Sequence, residues 1–172
     1  MDLSRLIRDI PDFPKPGIVF KDITPLLADP AGLKATIDQL AAPYRGKVDV
    51  VLGVESRGFI LGAATAYVLG VGFALVRKPG KLPWKTHQVS YELEYGRDTL
   101  EIHHDGVTPG QRVLLVDDLL ATGGTAAAAV ELVRKCGATP VAAAFVVELA
   151  FLPGRQKLAP LDVRSLLRYE QE

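Results

Sequence analysis

The chain has 172 residues, of which 48% are hydrophobic and 23% are charged, and it contains no low-complexity tract. This composition is typical of an ordinary globular protein and excludes the disordered and fibrous classes. Twenty basic residues balance twenty acidic ones, which argues against a nucleic-acid-binding protein, since such proteins usually carry a basic stripe.

The cysteine count and the apolar runs bear on location. The single cysteine, Cys136, has no partner for an internal disulfide and is too few for a thiolate metal site. The first residues are charged where a signal peptide is apolar, and no run of about 18 apolar residues occurs. We therefore expect a cytoplasmic protein with no membrane contact, and the length predicts one domain over residues 1–172.

The N-terminal part is predicted to combine helices with a stiff loop. Apolar residues at helical spacing from Leu3 to Ile10 predict a short amphipathic helix that ends at the first proline. The segment Asp12 to Pro25 is rich in proline but includes Ile18 to Phe20, which predicts an irregular loop whose apolar residues cover something. A second helix is expected from about Pro30 to Ala42.

Two strand, helix, strand units follow. Strands that are apolar throughout and alternate with helices indicate the α/β class, with a mostly parallel, twisted sheet covered by helices on both faces. The first unit has strands at Val48 to Leu52 and Phe73 to Val76 around a helix with Ile60, Ala63, Ala64 and Tyr67, and the second has strands at Val113 to Val116 and Val141 to Val147 around a helix with Ala126, Ala129, Val130 and Val133.

Between the two units lies Arg77 to His104, which has a different pattern. It begins with basic residues, proline and glycine, and then alternates apolar and polar residues on both sides of Gly96. This pattern predicts an antiparallel hairpin that projects from the sheet. The three histidines of the chain fall here and are expected at the surface, not as metal ligands: His87, His103 and His104.

The strongest functional signal is the segment Val113 to Thr125, VLLVDDLLATGGT. It predicts a buried strand, two acids, a glycine-rich turn and a helix start, at the strand end where open α/β sheets bind ligands. Gly123 and Gly124 let the backbone approach an anion, and the hydroxyls of Thr122 and Thr125 and the helix N–H groups are donors. The turn is therefore predicted to bind a phosphate.

The two acids, Asp117 and Asp118, need a different partner. Carboxylates accept hydrogen bonds from the hydroxyls of a polyol or hold a magnesium-bound sugar, so the acids and the turn together predict a ribose phosphate site. A plain strand end followed by a helix cap is the alternative, but it accounts poorly for all thirteen residues in order. Neither a P-loop nor a complete dinucleotide fingerprint occurs.

This segment resembles the motif of the type I phosphoribosyltransferases that binds 5-phosphoribosyl 1-diphosphate (PRPP). The resemblance implies that Asp117 and Asp118 hold the ribose hydroxyls. Members that use hypoxanthine, guanine or xanthine typically have an aspartate where this chain has Ala121, so the acid/base group must come from elsewhere. The residues that the resemblance assigns to the 5′-phosphate are Ala121, Thr122, Gly123, Gly124 and Thr125.

Other segments are similar to the adenine phosphoribosyltransferases of that family, over nearly the whole chain. The similarity implies transfer of the phosphoribosyl group from PRPP to adenine, with AMP and diphosphate as products, by a homodimer. It also implies the type I fold with an N-terminal hood and a hairpin lid. The segments are DFPKPGIVFKDITP (12–25), ESRGF (55–59), RKPGKLP (77–83), LEYG (93–96), EL (148–149) and GRQKLAP (154–160).

By this resemblance, residues from about 11 to 26 form a hood over adenine. Phe20 stacks on the base, the backbone of Val19 and Lys21 reads its amino edge and a ring nitrogen, and Leu149 walls the pocket. A flat heterocycle does need an apolar ceiling and a few fixed donors and acceptors. Ordinary packing is the alternative for Phe20 and Leu149.

The resemblance assigns a second strand end to the diphosphate. Ser56 and Arg57 follow the Val48 to Leu52 strand, and the family often has a cis peptide bond here, before Ser56. A basic patch is also assigned to the diphosphate, and its arginine reaches the site of the neighbouring subunit, whereas its lysines could be solvated surface charges. The patch consists of Arg77, Lys78 and Lys81.

Glu94 is the predicted catalytic residue, in a mobile lid from about 77 to 104 together with Tyr95. Adenine attacks through a ring nitrogen as positive charge develops on the ribose, and a carboxyl group enclosed by the lid could act as an acid. An exposed hairpin charge is the alternative. Mg²⁺ is expected to bind mainly through PRPP, without a dedicated protein site. Trp84 departs from related lids, which leaves the lid conformation open.

Two other functions stay open at this point. One is a phosphoribosyltransferase for another purine base. The other is a regulatory protein of the same fold that keeps the PRPP site only as a sensor, although the balanced charge and the presence of Glu94 argue against it.

Overall fold

A five-stranded parallel sheet forms the centre of the computed structural model, which describes residues 1–93 and 96–171. Apolar side chains pack on both of its faces, which confirms the predicted α/β architecture. The strands, in their order across the sheet, are β4 (Gly72–Val76), β3 (Val50–Val54), β7 (Arg112–Leu120), β8 (Thr139–Leu149) and β9 (Asp162–Tyr169).

The N-terminal part differs from the prediction. Only Leu3–Leu6 is helical, as a 3₁₀ turn, and the chain then forms an antiparallel ribbon of β1 (Arg8–Pro11) and β2 (Val19–Asp22). The predicted helix as far as Ile10 and the wholly irregular loop were therefore wrong. Arg8 and Asp22 are directly opposite in the ribbon and form an ion pair at 2.8 Å, a contact that spacing along the sequence does not reveal.

Helices cover both faces of the sheet. The predicted second helix is confirmed, and the side chain of Asp29 begins it by accepting a hydrogen bond from Gly32 N at 2.6 Å. One face packs against the second and third helices, and the other against the fourth. The helices are α1 (Thr24–Ala28), α2 (Pro30–Ala41), α3 (Arg57–Leu69), α4 (Gly124–Lys135) and α5 (Gly154–Leu158).

Three of the four apolar residues that predicted α3, Ile60, Ala63 and Tyr67, are exposed on its outer face, while Ala64 packs partly against the core. Ile60 is 51% exposed and Tyr67 is 88% exposed. The face against the sheet contains smaller residues, including Gly58 and Gly62, and a Cβ atom on Gly62 would lie 2.6 Å from the ring of Phe73. The helix was predicted correctly. Because its sheet-facing side contains glycines, the larger apolar residues that form the visible pattern in the sequence lie on the opposite side.

The predicted hairpin is confirmed for the described residues. Strands β5 (Thr86–Glu92) and β6 (Arg97–His103) pair antiparallel, and a bridge between Arg77 and Glu101 attaches the ribbon to the chain after β4. Strand β9 was not predicted, because charged residues interrupt its apolar pattern at the edge of the sheet. Within the described part of the chain, no helix is long and apolar enough to span a membrane.

Candidate active site

A cleft of about 350 Å³ opens at the carboxyl ends of β3 and β7. The two predicted acids, the glycine-rich turn and the start of α3 line it together, although 61 residues separate Arg57 from Asp118. Parallel strands produce this arrangement because their carboxyl ends meet at the same edge of the sheet. The predicted site residues that line the cleft are Ser56, Arg57, Lys78, Asp117, Asp118, Ala121, Thr122, Gly123, Gly124 and Thr125.

The turn after β7 presents backbone donors to the cleft. Gly123 has a φ of 82°, in the left-handed region that favours glycine, and α4 begins at the next residue. No side chain in the described part of the chain caps this helix, so among those residues its first N–H groups have no capping acceptor. N–H groups at the start of a helix and the positive end of its dipole favour an anion, and phosphate binding at this turn stays a prediction.

The two carboxyl groups lie at the end of β7 itself, not after it. Asp118 is buried and accepts a hydrogen bond from the guanidinium of Arg57, while Asp117 accepts one from the backbone N–H of Asp118 at 3.0 Å. Burial and the charge of Asp118 raise the pKa of Asp117 well above its ordinary value, and Arg57 offsets this effect only in part. The pair therefore favours ligands that supply hydroxyl donors or positive charge.

Arg57 is the first residue of α3 and follows a cis peptide bond between Glu55 and Ser56, as the resemblance implied. Burial disfavours its charge, but the hydrogen bond to Asp118 and the charges of Asp117 and Asp22 outweigh burial and raise the pKa of Arg57. Asp22 ends β2, so the end of the N-terminal ribbon lies close enough to Arg57 to stabilise its charge.

The predicted basic patch divides into two parts. Lys78 lines the cleft and forms an ion pair with Asp98 of β6. Arg77 forms an ion pair with Glu55 at 3.3 Å, and Lys81 is exposed. Among the described residues that line the cleft, neither Arg77 nor Lys81 occurs.

The predicted base-binding residues are not among the described residues that line the cleft. Lys21 lies 4.3 Å from the centre of the Tyr169 ring, and Tyr169 pairs with Leu149 where β9 and β8 end. The ring of Phe20 contacts that of Phe13 edge to face at 5.2 Å. All four residues assigned to the base are half-buried: Val19, Phe20, Lys21 and Leu149.

Comparison with known proteins identifies the family. The model of the phosphoribosyl transferase domain matches residues 20–161. The chain belongs to the phosphoribosyltransferase family. It is 63% identical to the adenine phosphoribosyltransferase of Syntrophotalea carbinolica over 170 residues, which cover 98% of this chain and 99% of the relative.

Solved structures of adenine phosphoribosyltransferases superpose closely on this chain. The enzyme from Thermoanaerobacter pseudethanolicus has a TM-score of 0.95 and 53% identity, with 98% of each chain covered. The Saccharomyces cerevisiae enzyme, complexed with adenine and an imino-altritol bisphosphate, has a TM-score of 0.91 and 43% identity, with 96% of this chain and 97% of the other covered. The type I phosphoribosyltransferase fold is therefore confirmed.

Two groups that sequence reasoning missed contact the phosphate turn of this phosphoribosyltransferase. The hydroxyl of Tyr91 in β5 lies 3.0 Å from Oγ1 of Thr125. Gly154 of α5 lies against the other side of the turn, since a Cβ atom on Gly123 would be 2.8 Å from its Cα atom. Tyr91 did stand out as part of the hairpin alternation, but only the fold brings either residue to the turn.

Glu94 and Tyr95, the predicted catalytic pair, lie outside the described residues. Trp84 is 55% exposed and lies edge to face with His103 at 6.3 Å. Among the residues that the structure describes, no group of three or more His, Cys, Asp or Glu side chains could hold a metal ion.

Replacing Asp117 with asparagine should stabilise the fold at neutral pH. Because the folded-state pKa of Asp117 is raised, its ionisation destabilises the fold increasingly as the pH rises through and above the ordinary carboxyl range. Asparagine keeps the acceptor for Asp118 N–H without the charge. We expect D117N to raise Tm at pH 7 by about 2–4 °C for each kcal/mol gained, with the gain shrinking on acidification, in thermal unfolding followed by circular dichroism.

The matched control has the opposite sign. Hydrogen bonds from Arg112 lower the pKa of Asp49 to about 2, so this carboxylate stabilises the fold above the ordinary carboxyl range and ceases to do so as the pH falls toward that value. D49N should therefore lower Tm at pH 7. Equal downward shifts for both variants would show that Asp117 is not destabilised by its surroundings.

Proposed function

We propose that this phosphoribosyltransferase acts in purine salvage and transfers the 5-phosphoribosyl group from PRPP to adenine, giving AMP and diphosphate. The observation that carries the proposal is one cleft in which paired acids, a helix N-terminus and a basic strand end converge. Relatives that match nearly the whole chain are adenine phosphoribosyltransferases, which supports adenine as the base.

The donor end of PRPP fits the groups that line the cleft. The N–H groups and hydroxyls from Ala121 to Thr125 receive the 5′-phosphate, and the ribose hydroxyls donate to Asp117 and Asp118. Arg57 then binds the diphosphate together with Lys78. Arg57 forms a hydrogen bond with Asp118 in the structure. When PRPP binds, two contacts replace it: the ribose hydroxyls bind Asp118, and the diphosphate binds the guanidinium of Arg57.

We infer that Mg²⁺ enters with PRPP and binds mainly through its diphosphate and hydroxyls. The raised pKa of Asp117 beside Asp118 fits this, because a cation near the ribose would favour the ionised pair. The ion, when bound, neutralises charge on the departing diphosphate. Asp117 and Asp118 are the residues of this chain that would face it.

The base-binding role rests on the N-terminal ribbon, which we take as the hood. Val19 and Lys21 are two residues apart in β2, so their backbone groups point to the same edge, and β2 has a strand partner, β1, on one edge only. The contact of Lys21 with Tyr169, which pairs with Leu149, supports a base site between hood and sheet. There Phe20 supplies the apolar ceiling.

The catalytic role of Glu94, with Tyr95, remains a proposal from the family resemblance. Strands β5 and β6, which precede and follow these residues in the sequence, form a ribbon that we take as the lid. Tyr91 joins this ribbon to the phosphate turn through Thr125. A carboxyl group brought to the purine by the lid would handle the ring proton as the bond from ribose to diphosphate breaks.

A homodimer through the outer face of α3 and the adjacent side of β4 completes the proposal. Ile60, Tyr67 and Leu75 expose 51%, 88% and 41% of their surface on this side, which is unusual for a group of large apolar residues on a monomer surface. Arg77 follows β4 directly and lies 5.9 Å from the ring of Phe59 in α3. Burying this face against a second copy would carry Arg77 toward the partner's cleft. The cytoplasmic location stays a prediction.

Incubation with PRPP, Mg²⁺ and labelled base tests the reaction. We expect AMP and diphosphate from adenine, and turnover of hypoxanthine at least about 100-fold slower at equal PRPP, because the backbone of the hood is set for an amino edge. Chromatography of the labelled nucleotide measures both. Faster turnover of hypoxanthine would refute the hood assignment, and PRPP binding without turnover of any purine base would favour the sensor alternative.

Replacing Glu94 with glutamine tests the catalytic assignment. The amide keeps the size of the side chain but cannot exchange a proton, so kcat should fall by about 100- to 10,000-fold while the Kd for PRPP stays nearly unchanged. Steady-state kinetics and calorimetric titration measure the two quantities. E92Q is the control, since Glu92 lies in the same ribbon and is exposed. If E94Q keeps its kcat, Glu94 has no role in proton transfer.

Replacing Tyr67 with glutamate tests the dimer face. Tyr67 lies ten positions after Arg57 on α3, about 15 Å along the helix, so the change leaves the cleft itself intact. We expect a monomer by light scattering and a loss of activity, because Arg77 no longer reaches a partner. A31E is the control, on an exposed apolar position of α2. A Y67E protein with the mass of a dimer would rule out this face.

A further inference from the structure

An ion pair outside the cleft connects two strands and a helix. Glu148 is only 2% exposed near the end of β8, and Arg155 of α5 donates to both of its oxygens, at 2.9 and 2.6 Å. A third hydrogen bond runs from Arg155 to the carbonyl of Val163 in β9, at 2.6 Å. The pair therefore fixes α5 to the end of β8 and to the start of β9.

A buried ion pair is weak evidence for stability, because desolvation offsets much of the attraction between the charges. The hydrogen bonds from Arg155 keep the pKa of Glu148 below its ordinary value in spite of burial, so the carboxylate stays charged at neutral pH. Replacing a buried ion pair by apolar residues of similar volume is often neutral or stabilising. What the ion pair adds is a fixed, two-point orientation for the start of α5.

The residue before Arg155 supports the phosphate turn. A Cβ atom on Gly154 would lie 2.3 Å from the carbonyl oxygen of Ala121, and one on Gly123 would lie 2.8 Å from the Gly154 Cα atom. The two backbones are therefore in direct contact. Glu148 itself is the sheet neighbour of Leu120, the last residue before the turn. Both members of the pair thus lie next to the turn, one through β7 and one through α5.

We propose that Arg155, held by Glu148, is a positioning residue for the 5′-phosphate turn, through the contact of Gly154 with Ala121 and Gly123. The inference rests on the proposed function for its effect on PRPP. Arg155 does not line the cleft among the described residues, so it acts on the donor only through the turn. Backbone donors bind a phosphate well only when several converge on it. A displacement of reacting or binding groups by about 1 Å can lower the reaction rate by about 100-fold.

The test replaces Arg155 with glutamine and with lysine. R155Q removes the charge, and Arg168, 3.6 Å from Glu148, then remains as a cationic partner, together with the hydroxyl of Ser165. R155K keeps a positive charge beside Glu148 but loses the planar guanidinium group. It therefore still tests the proposal if R155Q fails to fold. We expect the KM for PRPP to rise about 10- to 100-fold in R155Q and less in R155K, while the KM for adenine is unchanged.

Arg112 provides a matched control at the opposite end of β7. Its guanidinium binds Asp49 at two points, 3.0 and 2.8 Å, and the carbonyl of Gly46 at 3.3 Å, and its side chain is 46% exposed against 41% for Arg155. R112Q should lower Tm without changing the KM for PRPP. If folded R155Q or R155K behaves like R112Q, the ion pair has only a structural role and the inference is overturned.

A second measurement separates this inference from the proposed function. The backbone amide NMR signals of Gly123 and Gly124 in the full chain, without substrate, report the geometry of the turn directly. They should shift or broaden in R155K but not in R112Q, and unchanged signals in R155K would overturn the inference. If the unmodified chain has no activity with PRPP, the proposed function fails, while the glycine signals still decide whether Arg155 positions the turn.

Discussion

The adjacent carboxyl groups of Asp117 and Asp118 are the constraint on which the rest of the site depends. They lie at the end of the central strand, and burial together with their mutual repulsion raises the pKa of Asp117. Two buried carboxyl groups side by side are stable only where the surroundings supply positive charge and hydrogen-bond donors. The guanidinium of Arg57 supplies part of this stabilisation. The remaining acceptor capacity of the two carboxyl groups faces the cleft, where hydroxyl groups or a cation could satisfy it.

Glycines set the distances around that pair. A Cβ atom on Gly58 would lie 2.8 Å from Oδ1 of Asp117, so α3 can bring Arg57 to the acids only because Gly58 has no side chain. On the other side of the cleft, Gly123 and Gly154 bring the phosphate turn and α5 into backbone contact. One wall of the cleft is therefore fixed by contact between backbone and carboxylate, and the other by contact between two backbones. Such close packing leaves little freedom for the groups between the walls.

The sequence predicted the contiguous part of the site and missed the parts that depend on distant contacts. The acids and the phosphate turn occur within thirteen residues, so the local pattern fixed both their chemistry and their place at a strand end. Arg8 and Asp22 face each other across the two strands of the N-terminal ribbon. The spacing of residues along the sequence does not predict this pairing. The apolar stripe on α3 was visible, but which side of the helix faces the sheet depended on its glycines. Gly154 reaches the turn only through the fold.

The two halves of the proposed reaction rest on sheets of different size and stability. The PRPP half is built on strand ends and a helix N-terminus of a five-stranded sheet, where charged groups are held in place before the donor arrives. The proposed hood residues Val19, Phe20 and Lys21 belong to one two-stranded ribbon, and the described lid strands β5 and β6 form another. Such ribbons are only marginally stable by themselves. A flat, neutral purine needs an entrance and a ceiling more than it needs fixed charge. Since the base must enter and the product leave once per turnover, less stable two-stranded ribbons suit the half that opens, and a larger sheet suits the half that stabilises charge.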